Sequence, residues 1–88
     1  MIFISLIKLR EKADKKLIAK ADEIFKELSK ERIKIVSRYW TLGRYDVVLI
    51  FEAPDEKAAM KVGIAIANYA KAETLVAIPR EEAVRLLG

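Results

Sequence analysis

Tyr39-Trp40-Thr41-Leu42-Gly43-Arg44-Tyr45-Asp46-Val47-Val48 joins two β-branched, aromatic-rich runs, Arg32–Leu42 and Asp46–Glu52. Gly43-Arg44 between Leu42 and Tyr45 fits a two-residue type II′ hairpin, in which the first central residue has positive φ and is best served by glycine. In that register Trp40 opposes Val47, Arg38 opposes Leu49 and Val36 opposes Phe51. These residues, with Leu42 and Tyr45, form one face that carries aromatics and a single guanidinium. Ile33, Ile35, Ser37, Tyr39, Thr41, Asp46, Val48 and Ile50 form the other, more aliphatic face. A three-residue loop would invert part of this assignment, because a one-residue slip exchanges the two sides of a strand.

Outward from the hairpin, the hydrophobic period alternates between that of strands and that of helices. Ile2–Leu9 is apolar on both faces and reads as a strand. Over residues 14–29, Leu17, Ile18, Ala21, Ile24, Phe25 and Leu28 make one helical stripe. Pro54-Asp55-Glu56 is a helix start, and Ala59, Val62, Gly63, Ile66 and Tyr69 supply its buried stripe. Met60, Ile64 and Ala67 form a second apolar line, either a wide core arc or a contact with another dimer. Glu73–Ile78 reads as the last strand, and Arg80–Leu87 as a short terminal helix after Pro79. The order β-α-β-β-α-β predicts one α+β domain over residues 1–88. It is the ferredoxin-like split βαβ arrangement, a four-stranded antiparallel sheet with two helices on one face.

Composition narrows the chemistry. The chain has no Cys and no His. Thiolate nucleophiles, disulfides, thiolate metal sites, imidazole bases and imidazole ligands are thereby excluded, and no metal ligand set or cofactor is implied. No apolar run approaches the ~18 residues of a membrane span, so a cytoplasmic protein is expected. Abundant Lys, Arg and Glu with no Gln hint at a thermophilic source. The net charge of +4 is spread among alternating signs on the first helix, a solvated pattern that argues weakly for nucleic acid.

Both sheet faces are apolar, yet two helices cover one. The expectation is that Val36, Trp40, Val47, Leu49 and Phe51 are left open and become the interface of a homodimer with stacked sheets. At ~25 cal/mol per Å2, covering several hundred Å2 contributes many kcal/mol before association entropy.

Tyr39–Val48, with Ile4-Ser5-Leu6-Ile7-Lys8, Glu52-Ala53-Pro54-Asp55-Glu56 and Glu73-Thr74-Leu75, resembles the GYD domain family along nearly the whole chain. The connection Arg10-Glu11-Lys12-Ala13 is shorter than in many members. The resemblance implies membership of the dimeric α/β-barrel superfamily, and hence the same sheet-on-sheet dimer. That superfamily includes cofactor-independent oxygenases, haem-degrading enzymes, isomerases and ligand-sensing domains of regulators, so fold kinship is analogy where function is concerned.

The candidate ligand-binding residues are Arg38, Trp40, Tyr45, Asp46 and Tyr39, around a cavity expected between the stacked sheets. Arg38 among apolar neighbours needs a partner: Glu52, Glu73, the other subunit, or an anionic ligand such as a carboxylate. Asp46 either holds the amine of an amino-acid-like ligand, acts as a base, or accepts backbone amides and fixes the hairpin. Tyr39 and Tyr45 either offer hydroxyls to a ligand or are half-buried strand tyrosines with wet tips. Trp40 is dimer core or stacking platform, and Gly43 serves the turn.

Non-catalytic small-molecule binding or sensing is the leading expectation. The alternative is a cofactor-independent oxygenase or isomerase using Tyr39, Tyr45 or Asp46 to handle a proton. The haem-degrading version lacks its usual axial ligand. An RNA-recognition role fits the strand order but fails at the third-strand signature, where Tyr45, Asp46 and Val48 stand in place of its glycine and aromatics.

Overall fold

The first strand decides which side of the sheet is covered. In the computed structural model, which describes residues 1–88, Phe3, Ser5 and Ile7 of β1 (Ile2–Leu9) are buried while Ile2, Ile4 and Leu6 are partly exposed. β1 pairs antiparallel with β3 (Val47–Glu52) and with β4 (Ala70–Ala77), and β3 pairs antiparallel with β2 (Lys34–Trp40). The sheet order is β2-β3-β1-β4. Helices α1 (Lys15–Ser29) and α2 (Glu56–Ile66) lie over the Phe3 side, and α3 (Arg80–Leu86) ends the chain. The ferredoxin-like α+β arrangement is therefore observed.

Both long helices start as their sequences require. Asp14 Oδ1 accepts the Leu17 N–H at 2.8 Å, and Asp55 Oδ1 accepts the Ala58 N–H at 2.9 Å. Each carboxylate satisfies an amide that has no partner inside the helix. α2 ends at Ile66, so Tyr69 stands in the turn after the helix, its N–H donated to the Ile66 carbonyl at 2.9 Å. β4 begins at Ala70, earlier than the expected Glu73, because Ile7, Lys8 and Leu9 extend β1 and find partners in Ala72, Lys71 and Ala70.

The hairpin register is as read near the turn: Trp40 pairs with Val47 and Arg38 with Leu49. Two features differ. The strands stop at Trp40 and Val47, leaving a longer connection in which Thr41 N–H donates to the Asp46 carbonyl at 2.9 Å and Thr41 Oγ1 donates to the Tyr45 carbonyl at 2.7 Å. Gly43 adopts φ 100° at its tip, a conformation that suits glycine. Farther on, the register shifts between Ile35 and Ser37, so Ile35 rather than Val36 opposes Phe51. Val36 is the extra residue of a β-bulge.

The face assignment is corrected. Phe51 and Leu49 are fully buried beneath the chain's own helices, and Val47 lies on that side too. Phe51 and Leu49 are core, Val47 packs against it, Trp40 shares that helix side, and Val36 stands exposed at the bulge. Phe3 and Phe51 are paired neighbours whose rings stack at 5.4 Å, and this bulky pair fills the space between helices and sheet. Ile4, Leu6, Val48, Ile50, Leu75 and Tyr39 share the uncovered side, as their pairings require.

Candidate functional site

α1 rests closely on the sheet only near its end. Leu28 is its one buried residue. Toward its start, the stripe of Leu17, Ile18, Ala21, Ile24 and Phe25 faces Ile7, Leu9, Arg38, Trp40 and Val47 across a cleft of about 360 Å3. Ile66, Tyr69 and Ala70 close one end. Twelve of the fourteen lining residues are hydrophobic. Arg38 occupies a sheet position under the helix, where a guanidinium needs a charged partner and water at its tip.

Arg38 finds its partner on that helix, in neither Glu52 nor Glu73. Its Nη1 donates to Asp22 Oδ1 at 2.9 Å, and its guanidinium lies 5.3 Å from the Phe25 ring centre. The ion pair closes one wall of the cleft with matched charge. Trp40, 59% exposed, lies at the rim, its indole available to a bound molecule.

Tyr39, Tyr45 and Asp46 do not join that cleft. Tyr39 and Val48 are paired on the uncovered side. Asp46 Oδ2 accepts the Leu9 N–H at 2.8 Å and lies 3.6 Å from Lys8 Nζ, while its own N–H donates to the Ile7 carbonyl at 2.8 Å. These bonds fasten the hairpin turn to β1. The Tyr45 hydroxyl donates to Glu73 Oε2 at 2.6 Å. This bond raises the phenol's pKa above 10.0, helped by desolvation and the Glu73 charge and opposed by the nearby Arg44. A phenol so held keeps its proton at neutral pH and is poorly placed to remove one from a substrate.

The five candidates thus divide between two sides of one sheet, and the cleft of the single chain lies between helix and sheet. Asp22, Phe25 and Tyr69 are cleft residues that the sequence reading did not single out as functional. Phe25 belongs to the α1 stripe that faces Arg38 and Asp22 borders it, a placement that emerges only once the helix is laid across β2. No curated protein matches the chain. The GYD domain matches residues 3–87, nearly its full length, and the chain belongs to the GYD domain family.

Proposed function

We propose that this domain is a non-catalytic binding or sensing module that holds a small apolar molecule with an anionic end, and that it works as a homodimer through its open sheet face. The carrying observation is the cleft under α1, about 360 Å3, apolar except for the Arg38–Asp22 pair and Tyr69. Its size lies at the low end of small-molecule sites. At ~30 Å3 per water-sized group it accepts about twelve heavy atoms. Arg38 supplies a planar donor for a carboxylate, and Trp40 and Phe25 supply flat apolar contact.

A non-catalytic reading is supported by the absence of a free base at the cleft: Asp22 is paired, and the Tyr45 phenol is held elsewhere by Glu73. The dimer is supported by the open side of the sheet. Ile4, Ile50, Leu6, Val48 and Leu75 form its centre, with Lys34 and Glu52 at one end and Lys8, Lys71 and Glu73 at the other. An apolar centre with a charged rim is the anatomy of a protein interface.

The test is a titration of the single tryptophan, Trp40, with decanoate and with shorter and longer carboxylates. Saturable fluorescence change, strongest near the ten-carbon acid, is expected. The absence of saturable change across the series overturns the ligand reading. A monomer mass by light scattering at micromolar concentration overturns the dimer.

A further inference from the structure

α2 meets the last strand where Ala70 joins the core, and leaves the rest of that strand's helix side open. A groove of about 670 Å3 runs between α2 and β4. Small residues such as Gly63, Ala59 and Ala72 line it, and Met60 and Ile64 rise beside them, 65% and 71% exposed. β4 is an edge strand, and Val76, paired with Phe3 on the helix side, is still 59% exposed. None of the lining residues comes from α3.

The same chain carries a helix without a surface to cover its apolar side. α3 has no buried residue. Ala83, Val84, Leu86 and Leu87 fall on one side of it, with Leu86 79% and Leu87 86% exposed. A helix of two turns is unstable in water by itself and gains its stability from packing.

Charge sets the direction in which groove and helix match. Arg10 lies at the end of the groove where α2 finishes, its Nε donating to the Ala67 carbonyl at 3.0 Å, and Glu56 lies where α2 starts. α3 opens with Glu81 and Glu82 and carries Arg85 in its last turn. The complementary orientation is antiparallel to α2. The chain's own α3 starts from the wrong end. Ala77 pairs with Ile2, which pairs with Glu52, so β4 delivers α3 beside the start of α2. Folding back from there would set Glu81 and Glu82 against Glu56, and Ile78 before Pro79 is confined to extended backbone. A second copy has neither restriction.

We propose that α3 of one chain docks in the α2–β4 groove of another, antiparallel to α2, with Glu81 and Glu82 toward Arg10, and Arg85 toward Glu56. The contact lies on the helix side of the sheet and does not depend on the stacking of open faces proposed above. Exchanged reciprocally about a two-fold axis, it forms a closed contact. Together the two surfaces build an assembly larger than a dimer.

Sedimentation velocity and native mass spectrometry on full-length variants test this. Leu86→Asp and Ile64→Asp change exposed side chains, and each is expected to lower the mass of the wild-type assembly to that of the sheet-stacked dimer. Ile50→Glu removes sheet stacking and should leave an α3-linked dimer, which Leu86→Asp then converts to a monomer. Arg10→Glu should weaken the contact, and adding Glu81→Lys and Glu82→Lys should restore it. An unchanged mass in Leu86→Asp or in Ile64→Asp overturns the proposal, as does a monomer in Ile50→Glu alone. An Ile50→Glu mass equal to wild type, with Leu86→Asp monomeric, removes the stacked-sheet reading and leaves the α3 contact standing.

Discussion

Arg38→Leu separates the ligand-binding use of the guanidinium from its structural use. The Arg38 and Asp22 side chains are 46% and 58% exposed, and an ion pair of that kind contributes ~0–1 kcal/mol. Stacking on Phe25 adds about 0.5–1 kcal/mol, and a leucine recovers part of this by packing against α1. The unfolding free energy should therefore move by less than about 1.5 kcal/mol. A hydrogen bond from this cation to a bound carboxylate contributes ~1.5–3 kcal/mol, so decanoate affinity should fall by roughly tenfold to 150-fold. Trp40 fluorescence reads the titration, with decanol as an uncharged control that should bind the variant at least as well as wild type. Asp22→Asn gives the opposite sign, because it frees the guanidinium and removes a like charge from the wall of the cleft. If decanoate binds both variants with the wild-type constant, Arg38 has no part in a binding site, and the cleft is a packing defect.

Other outcomes follow from the core and the turns. Phe51→Ala deletes a fully buried ring stacked on Phe3, and urea unfolding should show a loss of ~3–5 kcal/mol; a loss below about 1 kcal/mol would put Phe51 outside the core. Arg32 holds φ 66° between α1 and β2, where a side chain costs roughly 1–2 kcal/mol. Arg32→Gly should accordingly raise the melting temperature by a few degrees, after the ~0.5–1 kcal/mol that glycine loses through chain entropy, and a lowered melting temperature contradicts the strain. For Tyr45 the phenol is favoured in the folded state, since its pKa is raised above 10.0. The stabilisation is thus complete below pH 10.0 and disappears as pH rises through the folded value. Ultraviolet titration of wild type minus Tyr45→Phe should show a tyrosinate midpoint above 10.0, which Glu73→Gln moves down.

Local rules made most of the fold legible. The change of period at residues 14–29 marked α1, Asp55 after Pro54 marked the start of α2, and Gly43 marked a turn needing positive φ. The covered side was not legible, because β1 and β3 are apolar on both faces and alternation carries no sign there. The choice is made in three dimensions, where Phe3 and Phe51 stack in the layer beneath the helices and the aliphatic residues face outward. Nor does any turn residue announce the bulge at Val36, which moves Ile35 to the side of Phe51. The Arg38–Asp22 pair was hidden by pattern: among alternating charges on α1, Asp22 looks like one more solvated residue until the helix is laid across β2.

A sheet in this arrangement is a single layer with work on both sides. Along β2 and β3, adjacent residues face opposite ways: Arg38 and Trp40 line the cleft while Tyr39 faces away, and Val47 lines it while Val48 faces away. A molecule that separates Arg38 from Asp22 acts on the same backbone that presents Tyr39 to the proposed partner. Thermodynamic reciprocity then makes a firm demand. Whatever factor the ligand contributes to association of the sheets, association must return to ligand affinity. The Asp46 bonds to Leu9 and from Lys8 tie the hairpin to the central strand, and they would carry such a displacement inward instead of letting the loop absorb it. The same three strands therefore serve as floor of the cleft and as the proposed interface, which is the physical basis for reading this small domain as a sensor as well as a container.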